Sequence, residues 1–469
     1  MRGVVVGLVA AMSAAGCVRI PGYACEGDAQ CLDRPLGACE PVGFCSYPDD
    51  GCDSGRRYSD LSGALADACV PTTTETETDG TETATTVATA GGATTDLDTT
   101  TAGSDETGCA TDCPPADGGQ ERWSVTLAGE ALGGDVLNAV VVLASGDIAV
   151  AGREDTAAGP DALLAVLDTD GNVLSHRTYD IAGGLDELLD VVQGSGGEVW
   201  GCGRADPPGQ INAWIAEFAS PFDDAPSQSV QLGHQVCRTL RQTSNLTMLA
   251  AGDDNQWTPE GLGAWAYTFA PWDLEGGTTV FGTTSPDDIL YTSATLGDGT
   301  VVLGGRLAAG NVSVSPFDND TVGAPLFEGN AGAIQGIDAT VDRVVAGGYE
   351  WTANQACAWV AAFAPDGTEH WSWRPASPAP LGDEIEAVAI DGAGNVVAVG
   401  FVTTGPRERM MIKLDPSGDE LWSKVWPGGP MAADILRDVA ILPGDDILVV
   451  GELADAEGGL DGWVARLSP

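Results

Sequence analysis

Three observations predict an all-β architecture of repeated sheets. The first is a short apolar strand closing on glycine: Ala149-Val-Ala-Gly152, Trp200-Gly-Cys-Gly203, Leu249-Ala-Ala-Gly252, Val302-Leu-Gly-Gly305, Val345-Ala-Gly-Gly348, Val397-Ala-Val-Gly400 and Leu448-Val-Val-Gly451. The marker glycines stand 51, 49, 53, 43, 52 and 51 positions apart, a self-similarity that marks a repeat architecture. The second is a shared internal order: a Gly/Asp turn, an apolar strand, a tight turn, the glycine-closed strand, a longer loop, then two more strands joined by another turn. Four short strands per unit read as a propeller blade. The third is the fit of the ends. The last repeat stops at its third strand, Trp463-Val-Ala-Arg-Leu-Ser-Pro469. The first begins with an unmatched strand, residues 121–127, whose Glu121-Arg-Trp-Ser124 matches Glu369-His-Trp-Ser372 and Glu420-Leu-Trp-Ser423. The expectation is a seven-bladed β-propeller over 120–469 with the last blade closed by strand 121–127, which would remove two sheet edges. The fourth repeat, around 278–323, is short and irregular.

The third strands carry Trp214, Trp265, Trp359 and Trp463 at one recurring place, with Leu164 and Met411 there in two other repeats. These are expected to pack between blades. Seventeen positions before the marker glycine stands an aspartate in five repeats: Asp135, Asp186, Asp288, Asp383 and Asp434; Gln235 and Ala331 replace it in the others. Lying just before the innermost strand, these carboxylates should ring one mouth of the channel. Two readings stay open. In one, each accepts backbone N–H groups in the turn entering its strand; in the other, the set binds a cation, for which carboxylates suit calcium. Calcium is the one cofactor candidate; otherwise none is expected. Asp168-Thr-Asp-Gly-Asn172 lacks the later glutamate of an EF-hand loop and reads as a hairpin turn.

Upstream, three segments differ in kind. Residues 1–17 place Arg2 before a short apolar run ending in small residues, too short to span a bilayer and suited to a secretory signal. Residues 18–70 hold six cysteines, Cys25, Cys31, Cys39, Cys45, Cys52 and Cys69, among Gly, Pro and Asp. So small a segment needs covalent staples, and an even count in an exported chain fits disulfides. Residues 71–119 are rich in Thr, Asp and Glu with no Lys or Arg, the composition of a disordered spacer; Cys109 and Cys113 near its end are candidates for a local disulfide. In the repeats, Cys202 and Cys237 are a further candidate pair, and Cys357 is expected as a buried thiol.

The chain carries 20 Lys+Arg against 69 Asp+Glu, net −49, and three His. That field repels nucleic acid and favours a soluble monomer. No GxSxG, HExxH, phosphate loop or His–carboxylate pattern singles out a catalytic set.

Resemblances add an address. Ala14-Ala-Gly-Cys17 resembles the bacterial lipobox, which implies lipidation of Cys17, anchoring in a membrane and a place in the cell envelope, as an outer-membrane lipoprotein or at the cell surface. Gly43-Phe-Cys-Ser-Tyr-Pro-Asp-Asp-Gly-Cys52 with Ser54-Gly-Arg-Arg-Tyr-Ser59 resembles a module at the start of many myxobacterial lipoproteins. Asp391-Gly-Ala-Gly-Asn-Val-Val-Ala-Val-Gly400 and Lys413-Leu-Asp-Pro-Ser-Gly-Asp-Glu-Leu-Trp422 resemble secreted bacterial propellers of the PQQ-like or delta-60 type. That group spans scaffolds, assembly factors and quinoproteins, so the resemblance implies fold more than activity. The expected function is a lipid-anchored propeller presenting a non-catalytic binding or scaffold surface to a protein or glycan. The alternative is an enzyme acting on polysaccharide, or on a quinone-dependent substrate, at the channel mouth.

Overall fold

The computed structural model describes residues 38–39, 45–49, 51–52, 54–58, 69–70 and, apart from short loop segments, 118–469. The signal segment with Cys17, Cys25, Cys31, Cys109, Cys113 and the spacer to residue 117 lie outside the described residues.

Two compact units divide at Pro114/Pro115. In the smaller, Ala38–Cys39, Cys45–Pro48 and Arg56–Tyr58 form an antiparallel sheet. Few apolar side chains are available there, so covalent and polar ties do the holding. Cys52 is bonded to Cys69 and Cys45 is also in a disulfide. Arg56 donates to the Ser46 hydroxyl and carbonyl, both at 2.8 Å. Disulfides form and persist in oxidising compartments, so the protein is extracytoplasmic.

The larger unit is a ring of seven antiparallel blades. Blades 1, 2, 3 and 6 are runs of four consecutive strands over 136–179, 186–233, 235–282 and 383–426. Blade 7 takes three strands from 435–467 and its fourth from Glu121–Leu127, which pairs with Leu460–Leu467. The closing strand begins earlier than its own ladder. Gly118 and Gly119, assigned by composition to the spacer, lie against the Trp422 ring, where a Cβ on Gly118 would collide with the indole. Gly119 N–H donates to Ser468 O at 3.0 Å. These residues fill the place that a turn fills in other blades: Trp123 and Trp371 donate their indole N–H to Thr169 O and Pro416 O of the next blade's turn, both at 3.0 Å.

The short fourth repeat has a structural cause. Strand Phe327–Ala339 runs 13 residues without a break. Its first part pairs with Asn311–Asp318 as the outer edge of blade 4, and its second part pairs with Val344–Thr352 as the inner strand of blade 5. The inter-blade connection is thereby lost, and the 43-residue spacing follows.

The core is distributed rather than central. Each of seven clusters of buried apolar side chains lies between two neighbouring blades, including blades 7 and 1, where Leu127, Leu448 and Val464 meet Leu137, Ile148 and Leu163. Trp214, Trp265, Trp359 and Trp463 are buried in these clusters, each opposite a marker glycine in the ladder. Leu163 and Met410 stand opposite Gly152 and Gly400, one residue before the expected Leu164 and Met411. A disulfide joins Cys202 of blade 2 to Cys237 of blade 3. Cys357 is buried and accepts the Thr352 hydroxyl at 3.1 Å.

Candidate functional site

The marker glycine is explained by the strand beside it. In every blade the innermost strand carries a one-residue bulge at the same place, after Leu137, Leu188, Cys237, Leu290, Ile334, Ile385 and Leu436. The kink drives a backbone carbonyl against the neighbouring strand. A Cβ on Gly152, Gly203, Gly252, Gly305, Gly348, Gly400 or Gly451 would strike the carbonyl oxygen of Val136, Glu187, Val236, Ile289, Ala333, Glu384 or Ile435 respectively. Only glycine admits so close a backbone approach.

The bulge also re-aims one side chain per blade. The bulged residues are Asn138, Leu189, Arg238, Tyr291, Gln335, Glu386 and Arg437. All seven are half-buried and line an open central cavity of about 760 Å³ to which every blade contributes. Partners come from the position after the marker glycine and from the start of the inner strand. Arg238 pairs with Asp253 and lies over the Tyr291 ring at 5.1 Å. Arg437 reaches Glu452 at 2.8 Å. Glu187 takes Asn138 at 2.9 Å, Arg153 at 3.2 Å and Arg204 at 3.8 Å, and Gln335 donates to Glu384 at 3.1 Å. Burial, reinforced by the charge of Glu386, pushes Glu384 up to about 7. Burial likewise raises Glu386 against the pull of Arg437, and raises Tyr349 to about 12.

Further along the channel the inner strands present an unpaired edge, and carboxylates tie one blade to the next across it. Asp190 accepts Leu240 N–H at 2.8 Å and Arg241 at 2.9 Å. Asp438 accepts Val140 N–H and Asp338 accepts Ile390 N–H, at 2.9 and 2.8 Å. Burial pushes Asp438 up to about 7, with the charge of Asp190 adding to it.

The five aspartates of the sequence motif lie where the inner strands begin and are all buried. Asp135 accepts Gly129 and Asp155 N–H, both at 2.6 Å. Asp186 accepts Ile181 and Ala182 N–H at 2.6 and 3.0 Å, and Asp434 accepts Ala454 N–H at 2.9 Å. The bonds of Asp186, and that of Asp135 with Gly129, lie in the segment entering the inner strand, whereas Asp155 and Ala454 stand at the end of the neighbouring strand. The blade 5 equivalent is Gly332 rather than Ala331, because the hairpin closed by Thr340 and Arg343 is one residue shorter than that closed by Leu143 and Asp147. Among the described residues one group of three acidic, His or Cys donors lies within 4.8 Å of one another: Asp161, Asp180 and Asp186. It contains one member of the five. Burial holds the Asp161 carboxyl above its ordinary range, with Asp180 and Asp186 adding to the effect. Asp168 forms the expected turn, its Oδ1 accepting Asp170 and Asn172 N–H at 2.9 Å each.

The bulge ring is what sequence reasoning missed. The signal was present in Gly152-Arg153, Gly203-Arg204 and Gly305-Arg306, where arginine follows the marker in a chain with few basic residues. The bulged residues themselves share no chemistry, so no motif betrays them.

No protein-family model matches this sequence, and no curated protein matches it. Solved structures similar in fold include Sqt1 from Chaetomium thermophilum (13% identity, 75% of this chain and 99% of that one, TM-score 0.41). A quinoprotein alcohol dehydrogenase-like protein from Bacteroides thetaiotaomicron matches at 12% identity over 62% and 66% of the two chains, TM-score 0.41. A protein of unknown function from Dyadobacter fermentans matches at 11% identity over 75% and 100%, TM-score 0.44. The chain is a β-propeller protein.

Proposed function

We propose that this protein is a lipid-anchored cell-envelope binding protein whose channel mouth takes a neutral, polyhydroxylated ligand, a glycan segment, without turning it over. The observation that carries the reading is the bulge ring. Arg238 and Arg437, which line the open cavity, are matched to Asp253 and Glu452, and the lining Asn138 is held by Glu187, which also takes Arg153 and Arg204. Paired guanidinium and carboxylate groups alternate donors and acceptors while leaving little net charge for an ionic ligand. Vicinal hydroxyls, which both donate and accept, complement such a surface, and Tyr291 adds an apolar face. The anchor rests on Arg2, the apolar run and Ala14-Ala-Gly-Cys17.

The full chain displayed on a glycan array tests the reading, with Glu187→Gln as the disabling variant because Glu187 organises Asn138, Arg153 and Arg204. The expected result is retention of an oligosaccharide by the wild type, loss of it by the variant, and recovery of the glycan at unchanged mass. An array that retains nothing overturns the reading. Cys17→Ala is expected to move the protein from the membrane to the soluble fraction.

The enzyme alternative draws on Glu384, a carboxyl titrating about 7 beside Glu386, as a general acid–base at the mouth requires. Shortened or oxidised glycan in the eluate would decide for it.

A further inference from the structure

Where blade 1 passes to blade 2, three carboxylates from different elements meet, none of them lining the central cavity. Asp161 lies on the third strand of blade 1, Asp180 follows its outer strand, and Asp186 opens the inner strand of blade 2. Their donor oxygens are within 4.8 Å of one another. The short link between Asp180 and Asp186 is folded onto the two side chains that bound it. Asp180 Oδ1 accepts Gly183 N–H at 2.9 Å, and Asp186 Oδ2 takes Ile181 and Ala182 N–H. Those bonds satisfy one oxygen of Asp186 only. Its residue is fully buried, and Oδ1 has no hydrogen-bond partner in the protein. A buried carboxylate oxygen without a donor, beside two further carboxylates, lacks a positive partner.

We propose that Asp161, Asp180 and Asp186 bind one calcium ion at the junction of blades 1 and 2. The donors are all hard oxygens, which selects calcium, magnesium or manganese over softer metals. Calcium takes six to eight oxygens in irregular geometry, whereas magnesium demands a near-ideal octahedron. Two buried carboxylates and one exposed one, set by a strand, a strand end and a loop, suit the irregular case. The exposed side of Asp180 leaves room for water to complete the shell. Bound there, the ion ties the third strand of blade 1 to the first strand of blade 2 and fixes the link between them. The site is independent of the glycan reading, since its residues are outside the cavity.

Terbium luminescence on the full chain tests it. Terbium replaces calcium, and excitation of Tyr179, adjacent to Asp180 and with its ring centroid 6.4 Å from that of Trp214, sensitises an ion held at this junction. The expected result is sensitised emission displaced by calcium and not by equal magnesium. Asp180→Asn, an exposed position, is expected to weaken calcium displacement by at least about tenfold by removing one charged ligand. Asp168→Asn, a partly buried turn aspartate of the same blade that lies outside the triad, is expected to leave it unchanged. Wild-type protein without calcium-displaceable emission overturns the proposal whatever the variants do. So does an Asp180→Asn protein that matches the wild type, or an Asp168→Asn protein that loses as much as Asp180→Asn.

Discussion

On the blade side of the inner strands stand Leu137, Leu188, Cys237, Leu290, Ile334, Ile385 and Leu436, every one fully buried. One residue further along, on the channel side, stand Asn138, Leu189, Arg238, Tyr291, Gln335, Glu386 and Arg437, every one only partly buried. The same bulge separates the two sets. The wall is uniform because each of its side chains must fill a gap between sheets that recurs seven times. The channel set is varied because the bulge fixes only direction, and water or a ligand tolerates any side chain that points there. Constancy in this molecule therefore marks packing, and variety at a constant place marks the surface available for recognition.

The strongest way to break that contrast is to put a side chain where the bulge needs none. Gly400→Ala sets a Cβ against Glu384 O, backbone on backbone, with no flexible neighbour to give way. The expected cost is about 4 kcal/mol, beyond the usual range for overpacking because backbone meets backbone, read as a fall in Tm or loss of folded protein. Gly305→Ala in the irregular blade 4 should cost as much, since Ile289 O approaches it in the same way. Leu189→Ala, on the channel side, should cost less than about 1 kcal/mol. Equal losses at Gly400 and Leu189 would erase the distinction between wall and channel.

A smaller effect is expected where the wall holds a charge. Lys413, only 5% exposed, reaches Asp391 at 2.9 Å in blade 6. Burial would raise Asp391, but hydrogen bonds from Asn395 and Lys413 outweigh it and hold the carboxyl below its ordinary range. Lys413→Met leaves that carboxylate with Asn395 and two backbone N–H groups, so the expected loss is about 3 kcal/mol at neutral pH, as for a buried pair that loses one partner. The depressed Asp391 contributes stability that is present above its unfolded value and lost as pH falls through the folded one. The gap between wild type and variant should therefore narrow below pH about 4. A Lys413→Met protein as stable as wild type at pH 7 would mean the pair is replaceable by apolar packing.

The contrast also says what the sequence could show. The marker glycine, the split last blade and the buried tryptophans were legible, because each answers to a constraint repeated along one chain. Asp135, Asp186 and Asp434 were legible as positions; Asp135 and Asp186 accept N–H groups in the segment entering their strands, while Asp434 ties its strand to the end of the next one. The continuous strand through blades 4 and 5 was legible only as an irregular spacing, since nothing in Phe327–Ala339 announces a missing turn. The channel ring was hidden for a physical reason: a bulge is a backbone event, and its residue can be Asn, Leu, Arg, Tyr, Gln or Glu. The acid triad was hidden because its members come from three different elements of two blades and meet only through the fold.

The smallest effect concerns protons, and it can assign stability to the outer strand or to the channel. Glu384 and Asp438 titrate at about 7 in the folded protein, far above their ordinary values. Between pH about 4 and 7 the native state therefore holds protons that the unfolded chain has released, so stability falls as pH rises through that window. His176 acts with the same sign. Its close contact with the Glu154 carboxylate, at 2.6 Å, raises its value, so the stability it adds is present below its unfolded value and lost as pH rises through the folded one. Melting at pH 5.5 and pH 8 should therefore show a lower Tm at pH 8 in the wild type. Both channel carboxylates keep some contact with water, which limits the effect to about 1 kcal/mol. Glu384→Gln with Asp438→Asn is expected to remove most of the difference, because each amide keeps an acceptor oxygen without the charge. His176→Gln, on the outer strand of blade 1 away from the channel, is expected to remove the smaller part. If His176→Gln removes nearly all of it, the pH sensitivity belongs to the outer strand and the channel carboxylates are ordinary solvated acids. A wild-type Tm that rises from pH 5.5 to pH 8 would contradict the raised values of all three groups at once.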